Sequence, residues 1–224
     1  MYYLGVTTTP VTPANGAFET FHQLNSCQAK VLFVSIRKFP VIEQMLKDLK
    51  YFQVISNLKL MVLMDCEQAP AILKDHPNRP KSVMTFQQLS TTGTSHHLVN
   101  VPYFPIDPEK DKFIILYTSG TTGLPKGAVH NHKSVVASEK NLCQIEIFKR
   151  NYGKTINFIF PFGHVSGSFF MMREILNNTT VVLFGNVDTE QMLEGVSKYQ
   201  CLLIGLFPAM AVDLYKNSSY YRQK

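Results

Sequence analysis

An α/β fold with largely parallel sheets and flanking helices is what this sequence predicts, and three observations carry the prediction. Apolar runs of strand length recur along the chain: KVLFV, LKLMVLM, FIILY, TINFIFP and TTVVLFG. Between several of them lie segments whose apolar residues fall at helical spacing, so that strands alternate with amphipathic helices. The runs are also short and almost continuously apolar, the pattern of strands covered on both faces.

Taken in order, the first helix starts after Asn15, a suitable N-cap, and sets Phe18, Phe21 and Leu24 on one side; KVLFV follows as a buried strand. Val41, Ile42, Met45, Leu46, Leu49 and Phe52 then fall at helical spacing, which predicts one amphipathic helix over VIEQMLKDLKYF. Residues 58–64 predict a strand buried on both faces. From about 65 to 110 the chain is dense in Pro, Ser, Thr and Gly, and reads as a long irregular connection with one helical turn near 86–89. FIILY is the next strand, GAVHNH a strand or turn, and a helix runs from about 133 to 148. TINFIFP is a further strand and FGHVSG a loop. TTVVLFG, DTEQMLEGVSKY and CLLIGLFP form a strand–helix–strand unit, with Asp188 as N-cap and Met192, Leu193, Val196 and Tyr199 on the apolar face.

The 224 residues are 45% hydrophobic and 17% charged, the balance of a soluble globular chain of one large or two small domains. No apolar run is long enough to predict a membrane-spanning helix. MYYLGVTTTP lacks the basic and apolar regions of a secretory signal, and RQK is not a Ser-Lys-Leu address, so a cytoplasmic location is expected. Cys27, Cys66, Cys143 and Cys201 are scattered without a CxxC pair, which predicts reduced, mostly buried thiols. HNH at 130–132 has no Cys or carboxylate spaced around it, so no metal site is predicted. The formal net charge is +6, yet there is no run of five Lys/Arg and no basic stripe interleaved with aromatics. Nucleic acid is therefore not an expected partner; a small phosphorylated ligand uses the same charge more economically.

The densest chemistry lies at 117–127, YTSGTTGLPKG. A strand running straight into a Gly- and hydroxyl-rich loop is a common way to hold phosphate. Glycines such as Gly120 and Gly123 let backbone N–H groups approach an anion. Thr118, Ser119, Thr121 and Thr122 add hydroxyl donors, and Lys126 a mobile positive charge. Hydrogen bonds to a charged group contribute about 1.5–3 kcal/mol each. The loop is not a P-loop, because Lys126 follows Pro125 rather than a glycine and no Ser/Thr follows it. On composition alone, a flexible turn between two strands remains the alternative.

TSGTTGLPKG resembles, residue for residue, the signature loop of the AMP-forming adenylate ligases, a superfamily that contains acyl-CoA synthetases, 4-coumarate–CoA ligase-like enzymes and beetle luciferases. Asp111 before the strand, His132 after the loop, PFGHVSGSFF and LFPAM fit the family's order of motifs. The resemblance implies that Thr118, Ser119, Gly120, Thr121, Thr122, Gly123 and Lys126 hold the phosphates of ATP, and that His164 contacts the carboxylate of the acid substrate. Ser166 departs from the pattern, since the members closest to luciferase often carry an aromatic there. ATP, Mg²⁺ and CoA are the implied cofactor and co-substrates, and a small carboxylic acid the implied partner.

By the same resemblance, residues 1–224 are expected to be a single incomplete AMP-binding domain, part of the family's large N-terminal domain. The Mg²⁺-binding glutamate, the ribose-binding aspartate and the C-terminal domain with its adenylation lysine find no match here. The chain is thus expected to be a fragment or short form of an acid–thiol ligase, inactive by itself. A catalytically inactive nucleotide-binding or interaction remnant is the alternative.

Overall fold

The structure is a computed structural model that describes residues 5–92, 104–118, 123–145, 153–185 and 188–222. The chain forms two compact units, one of residues 1–107 with 112–129, the other of 108–111 with 130–224.

The first unit is built on a three-stranded parallel sheet, order β1-β2-β3, of β1 (Val31–Ser35), β2 (Leu60–Met64) and β3 (Val83–Thr85). Central β2 is covered on both faces, as expected: Met61, Val62 and Leu63 are fully buried. Edge strand β1 differs from its expectation. Leu32 and Val34 face the core, whereas Val31 and Phe33 are exposed, so only one of its faces is covered.

Helix α1 (Ala17–Ser26) is capped by Gly16, not Asn15; the Gly16 N–H donates to Glu19 Oε2 at 3.1 Å. Its buried face is Ala17, Thr20, Gln23 and Leu24, and Phe18 is exposed. Phe21 is half-buried and packs on Tyr51, ring centroids 5.1 Å apart.

The helix expected from Val41 to Phe52 is two. A short 3₁₀ turn (Ile36–Lys38) leads into α2 (Phe39–Lys47), which has Pro40 in its first turn and ends at Asp48; α3 (Phe52–Ser56) follows. The Asp48 carboxylate accepts from the Lys50 N–H at 2.8 Å, offering the backbone an alternative to the helical ladder. Leu49 falls in the break and is exposed, so it leaves the apolar face assigned to it. Phe39, Ile42, Met45 and Leu46 remain as the buried stripe of α2.

The connection at 65–110 carries more structure than expected: α4 (Ile72–Asp75), β3 and α5 (Phe86–Thr91). Thr85 and Gln88 form a reciprocal capping box at α5, with Thr85 N–H donating to Gln88 Oε1 and Gln88 N–H to Thr85 Oγ1. Strand β3 is too short for periodicity to reveal and exists because it pairs with β2. β4 (Lys112–Tyr117) is the strand expected at FIILY, and GAVHNH, expected as a strand or turn, supplies β5 (Gly127–Asn131), which pairs with it.

In the second unit the Asn131 side chain caps α6 (His132–Cys143) by accepting from Ser134 N–H at 2.8 Å; the helix ends there with Gln144 as its C-cap, short of the expected residue 148, and 146–148 lie outside the described residues. β6 (Thr155–Phe158) and β7 (Thr180–Leu183) pair in parallel, Thr155 opposite Thr180. The helix between them, α7 (Val165–Leu176), occupies ground read partly as the loop FGHVSG. Next come α8 (Thr189–Lys198), α9 (Pro208–Lys216) and α10 (Ser218–Arg222). Asp188 caps α8 as predicted, its Oδ1 accepting from Gln191 N–H at 2.8 Å. Met192 is fully buried below it, but Tyr199 is exposed beyond the helix end.

CLLIGLFP does not form its expected strand. Leu203 makes one parallel bridge to Ile156 and the pairing stops. The side chain of Asn157 accepts from Gly205 N–H at 2.6 Å and donates to its carbonyl at 3.1 Å, replacing the backbone ladder. Ile159, Met192 and Met210 form this unit's core with Phe184, Leu193, Val196, Leu206 and Leu214.

The thiols are also less covered than expected: Cys27, Cys66 and Cys201 are free and half-buried. Burial pushes the Cys27 and Cys201 thiols up from their ordinary value.

Candidate functional site

β4 carries the chain to Thr118, and β5 takes it back at Gly127. The two ends of the intervening loop are tied by a reciprocal pair of bonds. Thr118 N–H donates to the Lys126 carbonyl at 3.0 Å, and Lys126 N–H donates to Thr118 Oγ1 at 3.2 Å. The Thr118 hydroxyl oxygen therefore serves the stem as an acceptor, while its proton stays available to donate. Thr118 and Lys126 are exposed. Ser119, Gly120, Thr121 and Thr122 lie outside the described residues.

Gly123 has φ +152° with open space around it, so conformation rather than room demands glycine there. Gly127 is required for the opposite reason. A methyl group on it would come within 2.9 Å of Ile115 Cγ2 and 3.1 Å of Tyr117 Cζ.

Helix α1 supports the stem from below. The Tyr117 hydroxyl shares a hydrogen bond with the Ser26 hydroxyl and donates to the Gln23 carbonyl at 3.3 Å. Burial pushes the Tyr117 phenol up from its ordinary value, and the Ser26 bond opposes that shift. His22 Nε2 lies 2.7 Å from the Pro125 carbonyl; a carbonyl only accepts, so Nε2 carries the proton. The His22 ring stands edge-on to Tyr117 at 6.3 Å.

Gln23 Nε2 donates to Thr9 Oγ1 and to the Pro10 carbonyl. That segment in turn bonds to β4: Thr8 N–H donates to the Phe113 carbonyl, and Ile115 N–H to the Thr8 carbonyl. His22, Gln23 and Ser26 are thus part of the loop's support, and sequence reasoning missed them. The only local signal was polar residues on a helix otherwise expected to pack through phenylalanines.

His164 belongs to the second unit, at the turn that joins β6 to α7. Its N–H donates to the Pro161 carbonyl at 3.0 Å, and its own carbonyl accepts from Ser168 N–H at 3.0 Å. The imidazole caps α7, Nδ1 accepting from Ser166 N–H at 3.2 Å with Ser166 Oγ at 2.8 Å. A methyl group at Gly167 would overlap the Pro161 carbonyl, so the helix can start this close to the strand end only with glycine there. His164 is exposed, flanked by Phe162 and Val165, which are 48% and 41% exposed. Phe162 stacks on Phe158 at 5.5 Å, and Phe160 on Phe170 at 5.1 Å, so a polar ring sits at the end of an aromatic cluster.

Among the described residues no three His, Cys, Asp or Glu side chains gather where they could hold a metal ion. No described helix is long and apolar enough to cross a membrane.

A family model described as AMP-binding enzyme matches residues 1–224. Acyl-CoA synthetase 7 of Caenorhabditis elegans is 28% identical over 206 residues, covering 88% of this chain and 34% of that protein. Probable 4-coumarate–CoA ligase 1 of Dictyostelium discoideum is 29% identical over 219 residues, covering 96% of this chain and 38% of that protein. The chain thus spans between a third and two-fifths of the length of these curated relatives. Among solved structures, the red-emitting luciferase of Phrixothrix hirtus superposes with a TM-score of 0.71 at 22% identity, over 95% of this chain and 38% of that one.

Proposed function

The chain belongs to the AMP-binding enzyme family, and from that premise we propose that it carries the phosphate-holding loop and an acid-contacting histidine of an ATP-dependent acid–thiol ligase. In that reaction a carboxylate oxygen bonds to the α-phosphorus of ATP as the bond to the bridging oxygen breaks and pyrophosphate leaves. The thiol of CoA then attacks the acyl carbon and AMP departs with the bonding pair. The observation that carries the reading is the closed stem at Thr118 and Lys126, which supports a glycine- and hydroxyl-rich loop directly after a strand.

A carboxylate approaching a triphosphate brings two anions together, and negative charge builds on the departing pyrophosphate. Donors held in place beforehand offset that charge without reorganising during the step. Thr118, Ser119, Gly120, Thr121, Thr122 and Gly123 supply neutral donors, and Lys126 a full positive charge. His164 and its apolar neighbours suit the carboxylate end of an acid with an apolar body.

Lys126→Ala is expected to weaken ATP binding, or pyrophosphate exchange wherever the chain supports it, by roughly 10- to 100-fold, the loss of one charge-assisted contact. Unchanged values would reject the role of Lys126. Titration of the 224-residue chain with ATP, with and without Mg²⁺, followed by an acyl-adenylate assay with fatty and aryl acids, tests the reading. Binding without turnover assigns a nucleotide-binding module; no binding rejects the phosphate site.

A further inference from the structure

We propose that Ser166 is a positioning residue that holds His164 in its Nε2–H tautomer, so that the ring meets a ligand as a hydrogen-bond donor and not as a base. The consequence for a carboxylate rests on the acid-contacting role proposed above; the tautomer itself does not. A backbone N–H can only donate, and that of Ser166 lies 3.2 Å from His164 Nδ1. That nitrogen therefore presents its lone pair. Ser166 Oγ lies 2.8 Å from the same atom and, facing a lone pair, gives its hydroxyl proton to it. A neutral imidazole carries one proton, which these two donors leave on Nε2.

The backbone holds this arrangement in place. His164 is pinned at both its N–H and its carbonyl, by Pro161 and Ser168, and the Ser168 hydroxyl donates to the Phe162 carbonyl at 2.7 Å. Gly167 allows the turn to close against Pro161. No hydrogen bond engages Nε2 among the described residues, and His164 is exposed, so the remaining N–H is left for a ligand.

For an anionic ligand the tautomer decides the sign of the interaction. Nε2–H donates to a carboxylate oxygen without transferring its proton, so the charge that makes the carboxylate a nucleophile is kept. The other tautomer would turn a lone pair toward an anion. Ser166 therefore contributes two donors to Nδ1, its backbone N–H and its hydroxyl.

The test is long-range proton–nitrogen correlation NMR on the 224-residue chain labelled with ¹⁵N-histidine, at a pH of about 8.5, above the ordinary histidine range. His164 signals are identified by their loss in His164→Gln. The expected wild-type result is a pyrrole-like Nε2 and a pyridine-like Nδ1. In Ser166→Ala the ratio of Nε2–H to Nδ1–H forms should fall about fivefold, the worth of one hydrogen bond, and Ser166→Thr should restore it. A wild-type Nδ1–H tautomer, or a ratio that Ser166→Ala leaves unchanged, overturns the proposal. The wild-type spectrum decides the tautomer even if the alanine variant does not fold. Adding octanoate separates the two readings: an intact Nε2–H tautomer whose Nε2 signal ignores the carboxylate counts against the acid-contacting role alone.

Discussion

Two histidines, one in each unit and both with their proton on Nε2, use it differently. His22 spends its proton on the Pro125 carbonyl and so belongs to the stem of the phosphate loop. His164 keeps its proton free, because its other nitrogen is occupied by Ser166. His22→Ala should therefore destabilise the loop stem without removing any donor that faces phosphate. We expect a loss of about 0.5–1.5 kcal/mol, read as a shift in urea midpoint, together with faster amide hydrogen exchange at Lys126. Unaltered exchange at Lys126 would show that the His22 contact does not hold the stem. The glycines divide in the same way: Gly123 is needed for its backbone angle, Gly127 and Gly167 for close approach.

Among the elements, α8 appears where the sequence places it. Asp188 accepts from an N–H three residues ahead, and α8 starts on that account. Asp188→Ala should cost about 1 kcal/mol and lower the denaturant midpoint of the second unit. An unmoved midpoint would mean that packing of Met192 alone sets the start of α8. Asp48 has the opposite effect, because its carboxylate competes with the backbone and divides one apolar stripe between two helices. Asn157 does so for a strand, taking both polar groups of Gly205 away from the ladder.

At the scale of the molecule, α6 and α7 bury three charged side chains together. Arg173 Nε and Nη2 donate to Glu174 Oε1 at 2.9 and 2.5 Å, and Glu139 lies buried with its oxygens unpaired among the described residues. Burial pushes the Glu139 carboxyl up from its ordinary 4.5; Arg173 opposes the shift and Glu174 adds to it. Between the unfolded and the raised folded value the native state holds a proton that the unfolded chain has released. Stability should therefore fall as pH rises through that window. Glu139→Gln should remove this slope and stabilise the protein at neutral pH, by urea unfolding at several pH values. A slope identical to that of the wild type would exclude Glu139 as its source.

The alternation of strands with helices, the Asp188 cap and the family to which the loop belongs were legible in the sequence, because each is set by residues a few positions apart. Central β2 was legible too, since a nearly continuous apolar run has no face that tolerates water. The stem of the loop was not: His22 and Pro125 are 103 positions apart, and Tyr117 and Gln23 94. Nor were the one-sided cover of β1, the strand that Asn157 interrupts, or the helix that begins at His164. The stem contacts and the Asn157 bonds to Gly205 join groups far apart in sequence, which meet only once the chain has folded.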